Sequence, residues 1–121
     1  MKQEMIEERP WGSFEVLYSS KDFIVKRIDI KPKCKLSLQY HGYRCEHWIG
    51  LEGTIKVTKG DCTHYLCPND YIFIPQGEVH RIENTSSKDI VSLIEIQVGD
   101  KLSEDDIIRL EDDFGRITSK M

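Results

Sequence analysis

The stretch "QYHGYRCEHW", Gln39 to Trp48, decides how this chain is read. It sets Gln39, His41, Glu46 and His47 into a segment that otherwise reads as strand, and polar groups of this kind are costly to bury without a partner. Alternate residues of a strand share a face. Ser37, Gln39 and His41 therefore form one row, and Glu46 and Trp48 form another on the next strand, with His47 on its opposite face. Further on, "PQGEVH" makes a Pro/Gly turn that leads His80 into a strand. In "IVSLIEIQV" the row Val91, Leu93, Glu95, Gln97 turns from apolar to polar halfway along. Arg27 sits inside the apolar run "FIVKRIDI". These rows predict polar side chains converging inside one barrel.

Outward from this stretch the chain is a train of short apolar runs, among them "FEVLY", "LSLQYH", "EHWIGL", "TIKVT", "THYLC" and "YIFIP". They are rich in Ile, Val, Tyr and Phe, and breaks such as "KGD", "CPND", "PQGE" and "NTSSKD" separate them. Many short strands at this spacing predict an all-β sandwich or small barrel. Only "SEDDIIRLEDDFGR" reads as helical. Ser103 can cap it, and Asp105 and Asp106 fall in a first turn where the helix dipole favours negative charge. A short helix over 103–111 and then a tail are expected.

The 121 residues fit one domain, with an N-terminal strand over 7–18, a core over 25–98 and the helix and tail over 103–121. The net charge of −4 with mixed signs gives no case for nucleic acid, and no basic cluster suggests a membrane surface. No apolar run approaches 18 residues, and the opening "MKQEMIEERP" is not a signal peptide, so the expected location is the cytoplasm. Cys34, Cys45, Cys62 and Cys67 lack CxxC spacing and read as free thiols.

A divalent metal takes three or four N/O ligands and keeps a position open for substrate. Gln39, His41, Glu46 and His80 supply an amide oxygen, two imidazoles and a carboxylate. Zinc is the expected ion, and manganese, cobalt and nickel accept the same set.

"QYHGYRCEHWIGLEG" fits the first cupin motif with Gln39 in the first His place, and "PQGEVHRIEN" fits the second, from Pro75 to Asn84, with Asn69 where a Gly usually opens it. A narrower match runs over about residues 7–116 through "ERPWGSFEVL", "IEIQVGD" and "EDDIIRLEDDFGR". Together these resemble the cupin domain of type II mannose-6-phosphate isomerases, usually the C-terminal part of a bifunctional enzyme fused to a mannose-1-phosphate guanylyltransferase. The chain has no room for the transferase half, so that activity is not expected. Where the family has three histidines before the arginine, "HGYR" keeps only His41 and Arg44.

The resemblance implies a jelly-roll barrel (the double-stranded β-helix) and a metal-dependent interconversion of mannose 6-phosphate and fructose 6-phosphate through a cis-enediolate. It implies Arg44 as an essential cation, Glu95 as a candidate base and His47 as a further catalytic candidate. Arg9, Arg27, Ser37, Arg81, Gln97 and Arg116 become candidates for contacts to a small phosphorylated sugar, with Trp11 shaping the pocket. A homodimer through edge strands is expected, since an open sheet edge is a liability. The competing readings are a sugar-phosphate sensor without turnover, or another cupin enzyme such as an oxygenase or a nucleotide-sugar epimerase. Gln39 argues against the His-rich set of an iron oxygenase.

Overall fold

The computed structural model describes residues 6–116. Both ends of the expected 1–121 domain, including residues 117–121 of the tail, lie outside the described residues. Eleven strands follow in chain order: β1 (Ile6–Arg9), β2 (Gly12–Ser19), β3 (Phe23–Ile30), β4 (Leu38–Tyr40), β5 (Cys45–Glu52), β6 (Ile55–Lys59), β7 (Cys62–Leu66), β8 (Tyr71–Ile74), β9 (His80–Glu83), β10 (Val91–Val98) and β11 (Ile108–Glu111). They build two sheets in the orders β1-β2-β3-β10-β5-β8 and β11-β4-β9-β6-β7. The strands pair antiparallel throughout. The architecture is thus all-β, as the strand pattern predicts, and it is the jelly roll that the resemblance implies.

The inward rows of β3 and β10 are apolar at one end of the barrel and polar at the other. On β3 it runs Lys26, Ile28, Ile30; on β10 it runs Val91, Leu93, Glu95, Gln97. Ile30, Ile55, Leu66, Val91 and Leu93 meet in the apolar half together with Trp48. Burying a side chain such as Ile30 or Leu93 contributes about 1.5–3 kcal/mol relative to leaving it exposed. That half anchors the barrel and allows the other half to be polar.

Two local features permit the close strand packing. A Cβ on Gly50 would lie 2.2 Å from the Cys67 carbonyl oxygen, so only glycine lets β5 pass this turn. Asn69, where a glycine usually opens the second motif, has φ 74°. Asparagine is one of the few residues that tolerates this left-handed region, so the departure from the motif leaves the turn intact.

Three expectations are corrected. The N-terminal strand over 7–18 is a hairpin of β1 and β2 joined at Pro10 and Trp11. The helix over 103–111 does not form. Ser103 Oγ does accept the Asp105 N–H at 3.0 Å, as a cap would, but the chain makes a single turn and then pairs β11 with β4. Sheet pairing of β11, which opens on the β-branched Ile108, outweighs the local capping signal. Arg27 does not enter the barrel. It shares the outer face of β3 with Asp29, to which its Nε donates at 3.1 Å. No helix among the described residues is long and apolar enough to cross a membrane.

Candidate metal and substrate site

Register alone assembles the polar end. Gln39 on β4 is the Cα partner of His80 on β9, and Gln97 on β10 is that of Glu46 on β5. Glu95 pairs with Lys26 on β3. All six are buried, at 8% exposure or less. They line one cavity with Ser37, His41 and Arg44, so the rows legible in the sequence do converge.

Glu46 is the hub. Its Oε2 lies 3.2 Å from His41 Nε2 and accepts from Arg44 Nε at 2.9 Å; its Oε1 accepts from Trp48 Nε1 at 3.2 Å and lies 3.8 Å from His80 Nε2. Burial alone would push the Glu46 carboxyl up. The hydrogen bond with His41 and the charges of His80, His41 and Arg44 outweigh burial and hold the carboxyl well below the usual carboxylate range. Burial in turn lowers His80 from the ordinary imidazole value, against the pull of Glu46, and so favours its neutral form.

The two imidazoles are turned by backbone carbonyls. His41 Nδ1 lies 2.7 Å from the Asp106 carbonyl oxygen, and His80 Nδ1 lies 2.9 Å from that of Glu78. A carbonyl only accepts, so both Nδ1 atoms carry a proton; in the neutral imidazole each Nε2 is then left with the lone pair that a metal-binding histidine offers, and in the charged one that of His41 donates to Glu46. Ligating atoms of His41, Glu46 and His80 lie within 4.8 Å of one another. The Gln39 amide nitrogen donates to Ser37 Oγ at 2.9 Å, which leaves its oxygen as the atom it can offer a cation. With both imidazoles neutral, two Nε2 lone pairs and the Glu46 carboxylate converge on one point, an arrangement that a divalent cation satisfies, so the residues fit one. The N/O set does not select among zinc, manganese, cobalt and nickel.

Glu95 faces the same cavity and accepts from Gln97 Nε2 at 2.9 Å. Burial, and then the charge and hydrogen bond of Glu46, push its carboxyl up to about 8, with Lys26 and Arg44 pulling the other way. Arg9, Arg81 and Arg116 line the cavity as well, and Trp11 both lines it and packs into the core. His47 does not belong to it. Its ring stacks on Tyr71 on the other face of β5, and Nδ1 lies 2.7 Å from the Tyr71 hydroxyl. Neither His47 nor Arg27 lines the cavity.

Four contributors were missed in the sequence. Lys26 lies in the cavity, its amine 2.7 Å from Glu104 Oε2 and 4.3 Å from the Phe14 ring centre. Its parity with Ile28 and Ile30 was the available signal. Glu104, Asp106 and Arg109 belong to a strap that leaves β10 and crosses to β11 in the other sheet. Asp106 is its buckle: besides the carbonyl on His41, its carboxylate accepts the Gly42 and Tyr43 N–H groups at 2.8 and 2.9 Å. Reading the strap as helix concealed all three.

His80→Ala is expected to empty most of the cation site while the barrel stays folded. Loss of a mere outer partner of a ligand costs about 10–100-fold in metal affinity, and loss of the ligand itself costs more. Elemental analysis of the purified variant checks this, and full occupancy would remove His80 from the ligand set.

A family model described as "Mannose-6-phosphate isomerase C-terminal" matches residues 1–112. The chain is 46% identical to mannose-1-phosphate guanylyltransferase RfbM of Salmonella typhimurium, over 94% of this chain and 24% of that protein. It is 47% identical to the alginate biosynthesis protein AlgA of Pseudomonas aeruginosa, over 89% of this chain and 22% of that protein. The chain thus spans under a quarter of the length of these curated relatives. Among solved structures, the capsular polysaccharide assembling protein CapF of Staphylococcus aureus superposes with a TM-score of 0.77 at 19% identity, over 92% of this chain and 35% of that one. Oxalate decarboxylase of Bacillus subtilis gives 0.76 at 16% identity, over 88% and 30%. These two likenesses speak to the fold.

Proposed function

The chain belongs to the mannose-6-phosphate isomerase C-terminal family, and from that premise we propose that it interconverts mannose 6-phosphate and fructose 6-phosphate. The observation that carries the reading is the buried His41–Glu46–His80 cluster, with Arg44 against it and Glu95 facing the same cavity. Gln39, His41, Glu46 and His80 would hold one divalent cation, whose Lewis acidity stabilises negative charge on a carbonyl oxygen.

The chain's own residues supply the rest. The reaction moves one proton from C2 to C1 of the sugar and one from O2 to O1, so it needs a group that takes and returns a proton. Glu95 is the inward carboxyl for the carbon proton. Arg44 is fixed by Glu46 before substrate arrives, and a charge oriented in advance stabilises the enediolate without reorganising. Trp11, Phe14, Ile28 and Ile82 give the cavity apolar walls that displace water.

The test is turnover of mannose 6-phosphate by the purified, metal-loaded chain in an assay coupled to fructose 6-phosphate. Activity is expected to vanish with a chelator and return with added cation. No turnover in the metal-loaded chain overturns the proposal, and tight sugar-phosphate binding without turnover favours the sensor reading instead.

A further inference from the structure

Of the arginines lining the cavity, four are already engaged. Arg44 donates to Glu46. Arg116 closes a two-toothed contact on Asp112, its Nε and Nη2 donating at 2.6 and 3.0 Å. Arg81 donates to the Leu36 carbonyl and to Glu111, and Arg9 pairs with Glu7 at 3.0 Å. Arg109 is different. Its Nε is buried with no hydrogen-bond partner among the described residues. It also forms no ion pair with any of them.

Its position makes this costly. Arg109 on β11 is the Cα partner of Gln39, one strand away from a proposed cation ligand, and it lines the same cavity. Burial, and then the like charges of Arg116 and Arg9, lower its guanidinium from the ordinary value; Asp112 opposes them but already carries the Arg116 fork. A buried charged donor left unsatisfied costs more than a lost neutral hydrogen bond. Such a group is stable in company with an anion. A phosphate monoester brings about two negative charges and three acceptor oxygens, a shape the guanidinium fork matches in two places.

We propose that Arg109, which is absent from the sugar-phosphate contacts the resemblance implied, is the phosphate-binding residue of this cavity. Arg9 and Arg116 add positive field at the partly exposed rim, with side chains 35% and 28% exposed. The assignment rests on reading the cavity as a sugar-phosphate site, and it names which side chain selects phosphorylated over free sugar.

Calorimetric titration of inorganic phosphate, fructose 6-phosphate and fructose tests it, run with and without bound cation because a cation also takes phosphate oxygens. The wild-type protein is expected to prefer fructose 6-phosphate to fructose. Arg109→Gln weakens phosphate and fructose 6-phosphate by at least tenfold and leaves fructose unchanged. Arg27→Gln, on the outer face, changes none of them. Arg109→Lys keeps the charge without the fork and gives an intermediate value, so the test survives if the Gln variant fails to fold. Phosphate affinity within twofold of wild type in Arg109→Gln, or no phosphate binding by the wild type, overturns the assignment. Its failure is separable from that of the isomerase reading. Arg109-dependent phosphate binding without turnover upholds the subsite and rejects the isomerase. Turnover with an unchanged KM in Arg109→Gln does the reverse.

Discussion

Arg44→Ala is expected to lower kcat for mannose 6-phosphate about a hundredfold or more, while KM moves by less than about threefold. The guanidinium is 7% exposed and is held at three points: Nε on Glu46 at 2.9 Å, Nη2 against His41 Nε2 at 3.3 Å, and Nη1 on the Ser103 carbonyl at 3.3 Å. A side chain so fixed does not follow the substrate. It meets negative charge only when that charge appears in the enediolate, and an interaction made in the transition state alone shows up in kcat. Loss of one such preorganised donor costs about 3 kcal/mol, which is about a hundredfold in rate. Metal content must be measured beside the kinetics. Removing a cation from beside Glu46 does not weaken capture of another cation, so the variant is expected to keep its metal. A raised KM with unchanged kcat would place Arg44 in ground-state binding and reject its assigned role.

The largest effect on stability is expected from Glu46. Its carboxylate is 1% exposed and compensates the buried Arg44, while accepting the Trp48 indole N–H. Removing one partner of a buried pair leaves the other charge uncompensated, at a cost of about 3–5 kcal/mol. For a domain of this size each kcal/mol moves the melting temperature by roughly 3–4 °C. Glu46→Ala is therefore expected to melt about 9–20 °C below wild type when both are metal-free, and to bind no cation. Thermal melts in chelator check the first part and elemental analysis the second. A shift under about 3 °C would mean that Arg44 finds water or another partner and that the pair contributes little.

Strand parity carries most of what could be read before the structure. Ser37, Gln39 and His41, Glu46 and Trp48, and Glu95 and Gln97 each lie on one row because a two-residue period admits no other arrangement. Their convergence follows from the register pairs Gln39–His80 and Gln97–Glu46. The same rule puts Arg27 outside the barrel: Ile28 and Ile30 fix the inner row, and Lys26, not Arg27, belongs to it. The strap is a different kind of failure. Ser103 behaves locally as a cap, so the signal for a helix start was real. What decides against the helix is the free edge of β4, which accepts β11, and no window of residues around Ser103 contains that edge. Arg109 was invisible for the same reason, since a helical reading scatters Ile107 and Arg109 whereas a strand puts both on the cavity side.

Asp106 gives the strap a consequence beyond closing the barrel. One residue of it turns the His41 ring through its carbonyl and grips the Gly42–Tyr43 backbone through its carboxylate. A cation held at His41 would therefore be coupled to the seating of the strap. Whatever free energy a cation gains from finding His41 already oriented, the strap gains equally from a cation already bound, because coupling between two sites is reciprocal. The strap also begins in one sheet and ends in the other, so this exchange reaches past the His41 loop. A change that loosens Asp106 is therefore expected to weaken both the seating of the strap and the capture of a cation at His41.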